Sequence, residues 1–518
     1  MADAQLLILL LLAIAVLAGL ARLLDLPYPV VLVLGGLGIA LVPGAPRIRM
    51  DPDLVFLIFL PLLLYSAAFL SSARELRAQA GPILLLAVGL VLVTMGAVAA
   101  VAHLALGIPW APAFVLGAVL GPTDPISATS ILARVGAPRR ISTILEGESL
   151  VNDGTALVSY KIALGAVGAA GFSAAAALGP FVLDSAGGAA VGLAIGWLSA
   201  RVRRSLDESQ VEITVSLLTP FAAYIPAEQL GLSGVLAAVA AGLYVGEQST
   251  GIISAESRLR ASAFWEVLAF LLNSVLFLLI GLELPTVLGG LTSIPAPELI
   301  ADAALVSGVV VAVRLAWSFA LAPVIKALRR PLALPSWRER VVVGWSGMRG
   351  AVSLAAVLAI PLTVGGEAFP HRDLIVFVTS AVVVATLVPP GLTLGPLIER
   401  LGLAAGERER AARHHAEARA SLARAALARL DELAEEEAAP VDSLDRLRSR
   451  YDDRLRRLEA KLDGGSTAEG DLGVNARREL LGAERGALAD LRREGEMPDR
   501  LARAIERDLD LEEARLPG

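Results

Sequence analysis

The sequence predicts an all-α membrane protein with a water-facing helical tail, and three observations carry that reading. Hydrophobic residues make up 55% of the 518 positions and mean hydropathy is +0.67, far above the range of soluble domains. Charge is unevenly placed: 47 of the first 400 residues are charged, against 49 of the last 118. Within residues 1–400, thirteen apolar segments approach the ~20 residues a helix needs to cross a hydrocarbon core. The expected organisation is a transmembrane domain over 1–400 and a charged, cytoplasmic helical tail over 401–518.

The segments lie near 5–22, 28–43, 54–71, 82–107, 112–134, 141–164, 174–200, 211–227, 230–247, 262–288, 300–325, 338–363 and 373–397. The second, eighth and ninth are short or poorly separated. With the N-terminus outside, 16 Lys/Arg fall in cytoplasmic loops and three (Arg47, Arg49 and Arg372) outside. Cytoplasmic loops carry the basic excess, so the alternation predicts N-out and C-in. Lys161, Arg314 and Arg349 remain as basic residues inside spans. Lys161 is near the outer end of span six and can snorkel; Arg314 is deeper, and its partner is not named by the sequence.

The absence of cysteine excludes disulfides and thiolate chemistry. Asp3 in place of a basic leader argues against a signal peptide. Three lysines in a chain rich in Ala, Gly and Arg hint at a GC-rich bacterial genome, hence a bacterial inner membrane. No nucleic-acid partner and no cofactor is expected.

Three charges at span centres carry the chemistry, because a charge at bilayer depth marks an ion or proton pathway by default. In span five, Pro122 and Pro125 remove two backbone donors around Thr123 and Asp124. The freed carbonyls exist at that depth only where they line protein or a polar cavity. With the Thr123 hydroxyl and the Asp124 carboxylate they are the oxygen ligands of a hard cation; the competing reading is a proline kink that Asp124 caps. In span six, helical spacing puts Ser149 and Asp153 on one face, with Glu148 and Asn152 on the next stripe. Desolvation penalises an isolated carboxylate, so Asp153 holds a proton or a cation but not both tightly; the competing reading is a structural pair with Asn152. In span twelve, Arg349 lies among Gly344, Gly347 and Gly350, which allow close helix approach or an unwound turn. An intramembrane Arg needs a carboxylate, and Glu148 or Glu146 is the natural candidate. Spans five and twelve are both interrupted centrally, the pointer to an inverted-repeat transporter with a midplane site.

These stretches resemble the cation:proton antiporter-1 family of bacterial NhaP-type antiporters and animal sodium/proton exchangers. The matches are Gly121–Pro125, Glu146–Gly154, Phe264-Trp265-Glu266 through Asn273-Ser274 to Gly281, Gly344–Gly350 and Phe59-Leu60-Pro61. The resemblance implies thirteen helices in a dimerisation part and a core part with two crossing, partly unwound helices, in a homodimer whose core moves like an elevator. It implies Na+ and H+ binding at Asp153, with Ser149, Asn152, Asp124 and the Thr123 backbone around it, and a structural ion pair between Glu148 and Arg349. The Asn-Asp pair goes with electroneutral exchange of one cation for one proton. One departure is that many relatives carry an acid on the third span, where Tyr65-Ser66 stands here, so Ser66 is a possible third-span ligand and K+ or Li+ an alternative cation.

Other classes fare worse. An intramembrane hydrolase needs a nucleophile and base at depth, yet none of the four histidines is near a span centre, and no H-E-x-x-H occurs. A cation channel needs ring-forming filter charges, and the charges here stand singly. In the tail, Val441, Leu444, Leu447, Tyr451, Leu455, Leu458 and Leu462 step as an amphipathic helix; His414-His415 read as solvated. A further helix is expected near Pro498.

Overall fold

A computed structural model of the chain describes residues 2–24, 26–43, 55–167, 174–206, 208–252, 255–291, 294–327, 336–404, 407–435 and 441–462, with scattered positions between 480 and 509. The helix expected near Pro498 lies outside them, apart from Ile505 and Leu509. The chain divides into two compact units, Met1–Ala405 and Gly406–Gly518.

The first unit is a helical bundle. Its helices are α1 (Ala2–Leu23), α2 (Tyr28–Ala40), α3 (Leu60–Leu70, entered by a π-helical turn over Val55–Phe59), α4 (Ala73–Ala78) and α5 (Ala80–Leu104). There follow α6 (Trp110–Val119), α7 (Ile126–Val135), α8 (Arg139–Ala166), α9 (Ala174–Arg203), α10 (Ser209–Gln229), α11 (Gly234–Ile252), α12 (Ala255–Gly290) and α13 (Ala296–Ala327). The bundle closes with α14 (Trp337–Trp345), α15 (Ala351–Leu358) and α16 (Arg372–Arg400). Five helices of the described residues are long and apolar enough to cross a membrane: Ala80–Leu104, Gly179–Arg203, Ser257–Gly290, Ala296–Ala320 and Arg372–Arg400. The α8 helix is long but too polar for that pattern, because its face carries the polar residues of the site.

An all-α expectation meets one small exception. Thr363–Val364 and Glu367–Ala368 pair as a two-residue antiparallel hairpin, β1–β2. Its turn residues, Gly365 and Gly366, have φ of 62° and 87°, the left-handed pair that a tight hairpin turn requires.

Packing sorts the helices into two groups. The first comprises α2, α3 and α9–α12; the second comprises α5–α8 and α13–α16. Small residues set the contacts in the first group. A Cβ at Gly36 of α2 would collide with the Leu278 carbonyl of α12, and one at Gly281 with that of Val33. Such backbone-to-backbone approach is how apolar helices gain van der Waals contact where lipid offers no hydrophobic drive.

The second group contains the two interrupted spans. Proline at 122 and 125 ends α6 at Val119 and starts α7 at Ile126. Between α14 and α15 the chain unwinds over Ser346–Gly350, with Gly350 extended at φ −144°, ψ −151°. The breaks meet: the Asp124 N–H donates to the Met348 carbonyl at 2.8 Å. Gly350 has no room for a Cβ, which would strike the Asp124 side chain. The crossing that the resemblance implied is thus fixed by a backbone hydrogen bond and a glycine.

In the second unit, α17 (Glu407–Glu435) and α18 (Val441–Leu462) pair as a helical hairpin. The α18 bounds coincide with the first and last residues of the apolar pattern. Arg424 bonds Glu459 at 2.7 Å and Arg448 pairs with Asp431 across the two helices.

Candidate ion-binding site

Where the two breaks cross, a cavity of about 510 Å³ is lined by Ser66, Thr123, Asp124, Ser149, Asp153 and Asn273, among others. Its wall also includes Ser71, Thr129, Glu146 and Glu266, which lie nearer the Arg-bearing helix ends, and these two glutamates are exposed.

Asp153 is buried at 5% exposure. Its Oδ1 has no hydrogen-bond partner among the described residues, an expensive state for a carboxylate. Ser149, one turn earlier on α8, is buried and lines the same cavity. Ser66 is buried on the facing helix α3, and its hydroxyl donates to the Leu63 carbonyl at 2.8 Å. That bond uses the hydroxyl proton and leaves oxygen lone pairs for the cavity.

Asp124 is half-buried and differently held. Its Oδ1 accepts from the Ile126 N–H at 2.9 Å, and the carboxylate also takes a bond from the Ala351 backbone N–H. Ile126 and Ala351 are the first residues of α7 and α15. The Asp124 charge therefore faces the positive ends of two half-helix dipoles.

Thr123 and Asn152 belong to a hydrogen-bonded line behind the cavity. Asn152 Nδ2 donates to Thr123 Oγ1 at 2.8 Å, and Thr123 Oγ1 donates to Glu148 Oε1 at 3.1 Å. Asn152 does not pair with Asp153; it braces the unwound segment of span five against α8. Asn152 Oδ1 stays buried without a hydrogen-bond partner among the described residues.

The expected pair between Glu148 and Arg349 is corrected by the structure. Glu148 binds Arg314 of α13: Nη2 donates to Oε2 at 2.9 Å, and Nη1 to Oε1, in a fork-to-fork arrangement. Both side chains are almost fully buried, at 2% and 1% exposure. Arg314 Nη2 further reaches the Val343 carbonyl at 3.1 Å, tying α13 and α14 to α8. The physical reason is Gly347. A Cβ there would collide with the Arg314 Cδ and Nε, so the glycine lets Arg314 pass through the break to Glu148. Arg349 lies in the unwound segment, off the helical register that would aim it at α8. Its Nη1 reaches the Gly347 carbonyl at 3.4 Å, while Nε and Nη2 are buried without partners among the described residues.

Of two further basic residues, one gains a partner and the other departs from expectation. Lys161 pairs with Glu228 of α10, with a 2.6 Å bond to Oε1, so it is held by a carboxylate. Arg203, counted among loop arginines, is the last residue of α9 and 1% exposed. Sequence reasoning also missed Tyr28, which lines the cavity and packs its ring against Phe270 at 5.4 Å. No spacing signal marks it; it stands at the start of the second apolar segment.

Comparison with known proteins places the chain. Residues 8–400 match the family model described as sodium/hydrogen exchanger, transmembrane. An uncharacterized Na+/H+ exchanger of Mycobacterium tuberculosis H37Rv is 37% identical over 504 residues, 94% of this chain and 91% of that protein. A sodium, potassium, lithium and rubidium/H+ antiporter of Bacillus pumilus is 32% identical over 388 residues, 72% of this chain and 58% of that protein. The solved sodium proton antiporter MjNhaP1 of Methanocaldococcus jannaschii superposes with a TM-score of 0.62, covering 77% of this chain and 98% of that one at 20% identity, a likeness of fold. These relatives are named as transporters, not enzymes. The chain belongs to the sodium/hydrogen exchanger family of transmembrane cation/proton antiporters.

Proposed function

We propose that this protein exchanges one Na+ for one H+ by presenting Asp153 alternately to the two sides of the membrane. The observation that carries the reading is which carboxylates of the site have partners. Glu148 is held by Arg314, Asp124 accepts from the backbone N–H groups of Ile126 and Ala351, and Glu146 and Glu266 stand exposed at the cavity wall. Asp153 is the buried carboxylate of the cavity whose Oδ1 has no partner among the described residues. Desolvation forbids it a bare charge, so it takes either a proton or a cation. One group with two mutually exclusive ligands of charge +1 gives exchange without net charge movement.

Oxygen donors for Na+ come from Asp153, Ser149, Asp124 and the Thr123 backbone, with Ser66 as the contribution from α3. Asn152 acts through Thr123 by holding the unwound segment in place. Oxygen-rich coordination of this kind suits a hard cation. K+ or Li+ is a second reading of the same site, favoured by the hydroxyl at Ser66 in place of an acid and by the range of ions in the Bacillus pumilus protein's name.

In this reading the chain crosses a bacterial inner membrane thirteen times, N-terminus outside and tail in the cytoplasm. The two broken segments belong to inverted halves. The cavity wall reaches toward the Arg-bearing ends, so the positive-inside rule makes this the inward-facing state. The second helix group carries the ion, and the first forms a homodimer. The test is Na+-driven proton release from inside-out vesicles, with Na+, K+ and Li+ added in turn. A Na+-dependent pH change that vanishes in Asp153→Asn supports the reading; an unchanged response in that variant removes Asp153 as carrier.

A further inference from the structure

Glu266, Ala269, Phe270 and Asn273 all line the ion cavity, and their spacing puts them on one face of α12. That face runs inward. Glu266 is exposed at the mouth, and Asn273, about two turns further on, is 4% exposed. Between them the Phe270 ring packs on Tyr28 of α2. The backbone contacts at Gly36 and Gly281 fix α2 and α12 against each other, so the face is part of a rigid wall.

One bond orients the Asn273 side chain. Its Nδ2 donates to the Ala269 carbonyl at 2.8 Å, and only the nitrogen end of an amide can donate to a carbonyl. The oxygen end is therefore turned away from the α12 backbone. Oδ1 has no hydrogen bond among the described residues, yet it is not shut off in the protein interior. On a residue that is buried except where it lines the cavity, such an oxygen opens into the cavity. The next residue is the contrast. Ser274 Oγ is fully buried without a partner among the described residues, and Ser274 does not line the cavity.

We propose that Asn273 is a ligand of the transported cation in the cytoplasm-facing state, supplied by the stationary helix group and not by the moving one. The inference rests on the alternating-access reading above, with Asp153 as carrier. An amide carbonyl is a hard oxygen donor of the kind alkali cations take. Being neutral, it leaves the one-for-one charge count intact. Asp153 and Ser149 stand on α8 of the second packed group, and Asn273 stands on α12 of the first. Movement of the second group against the first carries Asp153 away from α12. The amide oxygen is then a ligand in one state and absent from the other. A ligand set that differs between two states makes their affinities differ, so Na+ binds more tightly from the cytoplasm than from outside.

The test measures the KM for Na+ separately at each face of the full-length protein in oriented proteoliposomes. In Asn273→Ala the cytoplasmic KM is expected to rise about five-fold for one lost oxygen ligand, with the outer KM unchanged. At alkaline pH, Asn273→Asp keeps an oxygen but has no N–H for the Ala269 carbonyl. It is expected to hold the cytoplasmic KM at or below wild type, and Ser274→Ala to leave both values unchanged. An unchanged cytoplasmic KM in Asn273→Ala, an equal rise at both faces, or a raised cytoplasmic KM in Asn273→Asp overturns the ligand. Binding without transport separates this inference from the function itself. Na+ is expected to raise the Tm of wild type in detergent, and Asn273→Ala to need about five-fold more Na+ for the same rise. If wild type shows that rise but no exchange, the alternating reading falls and the ligand stands. A wild-type Na+ response in Asn273→Ala overturns the ligand whatever exchange does.

Discussion

Two faces of one helix show what decides the role of a buried carboxylate. Glu148 and Asp153 both lie on α8, a little over one turn apart, and both are buried. On one face Glu148 is gripped by both Nη atoms of Arg314 and by Thr123. On the other, Asp153 faces a cavity with Oδ1 unbonded. Residue type and depth are the same, and the partners differ. A satisfied carboxylate becomes a brace that locks α13 and the span-five break to α8. An unsatisfied one is left with a choice of proton or cation, which is the property an exchanger needs.

The strongest way to break this comparison is to remove the choice. Asp153→Asn keeps size and hydrogen bonding but cannot take up and release a charge. Exchange is expected to fall to the level of empty vesicles, with Tm in detergent near wild type. Exchange at the wild-type rate means that the unbonded face is not the working one.

Next in size is the brace. Arg314→Ala strands a buried carboxylate and is expected to cost about 3–5 kcal/mol, read as lost expression and lowered Tm. Glu148→Gln produces a related defect, because it strands the arginine. Arg349→Met should cost less than about 1 kcal/mol, since no carboxylate is bonded to that side chain and its removal leaves none unpaired. A larger loss in Arg349→Met than in Arg314→Ala would restore the pairing expected from sequence.

Smaller effects sharpen the boundary between the faces. Asn152→Ala cuts the bond to Thr123 without touching the carrier. It is expected to cost about 1 kcal/mol, raising the KM for Na+ roughly five-fold through a displaced Thr123 carbonyl. Ser66→Ala removes one neutral oxygen and should shift KM by about two-fold, on the order of 0.5 kcal/mol. A shift in the Na+/K+ preference of Ser66→Ala, measured by the two KM values, identifies α3 as a selectivity element.

Much of this is legible in the sequence. The apolar segments foretold the helices because length and hydropathy are local properties. Pro122 and Pro125 foretold the break for the same reason: a missing donor disrupts a helix in any context. The residues around Asp153 were also legible, since helical spacing alone puts Ser149 on its face. What failed was partner choice across the bundle. Two arginines stood at suitable depth, and hydropathy does not say which one reaches Glu148. Gly347 decides it, by leaving a gap through which Arg314 passes; the clue was a deep Arg314 without a nearby acid. Arg203 failed for a related reason, because a basic residue at a segment end counts as loop until packing buries it. Tyr28 enters the cavity through the packing of α2 on α12, which no local pattern records.

The central claim is that Asp153 is the single carboxylate that alternates. Its most direct test is the steady-state Na+ gradient formed by purified wild-type protein in proteoliposomes, with the membrane potential set by K+ and valinomycin to either sign. The account predicts the same gradient at every potential, because one positive charge is exchanged for another. A gradient that shifts with potential would contradict it, and would bring Asp124 or Glu148 into the proton count.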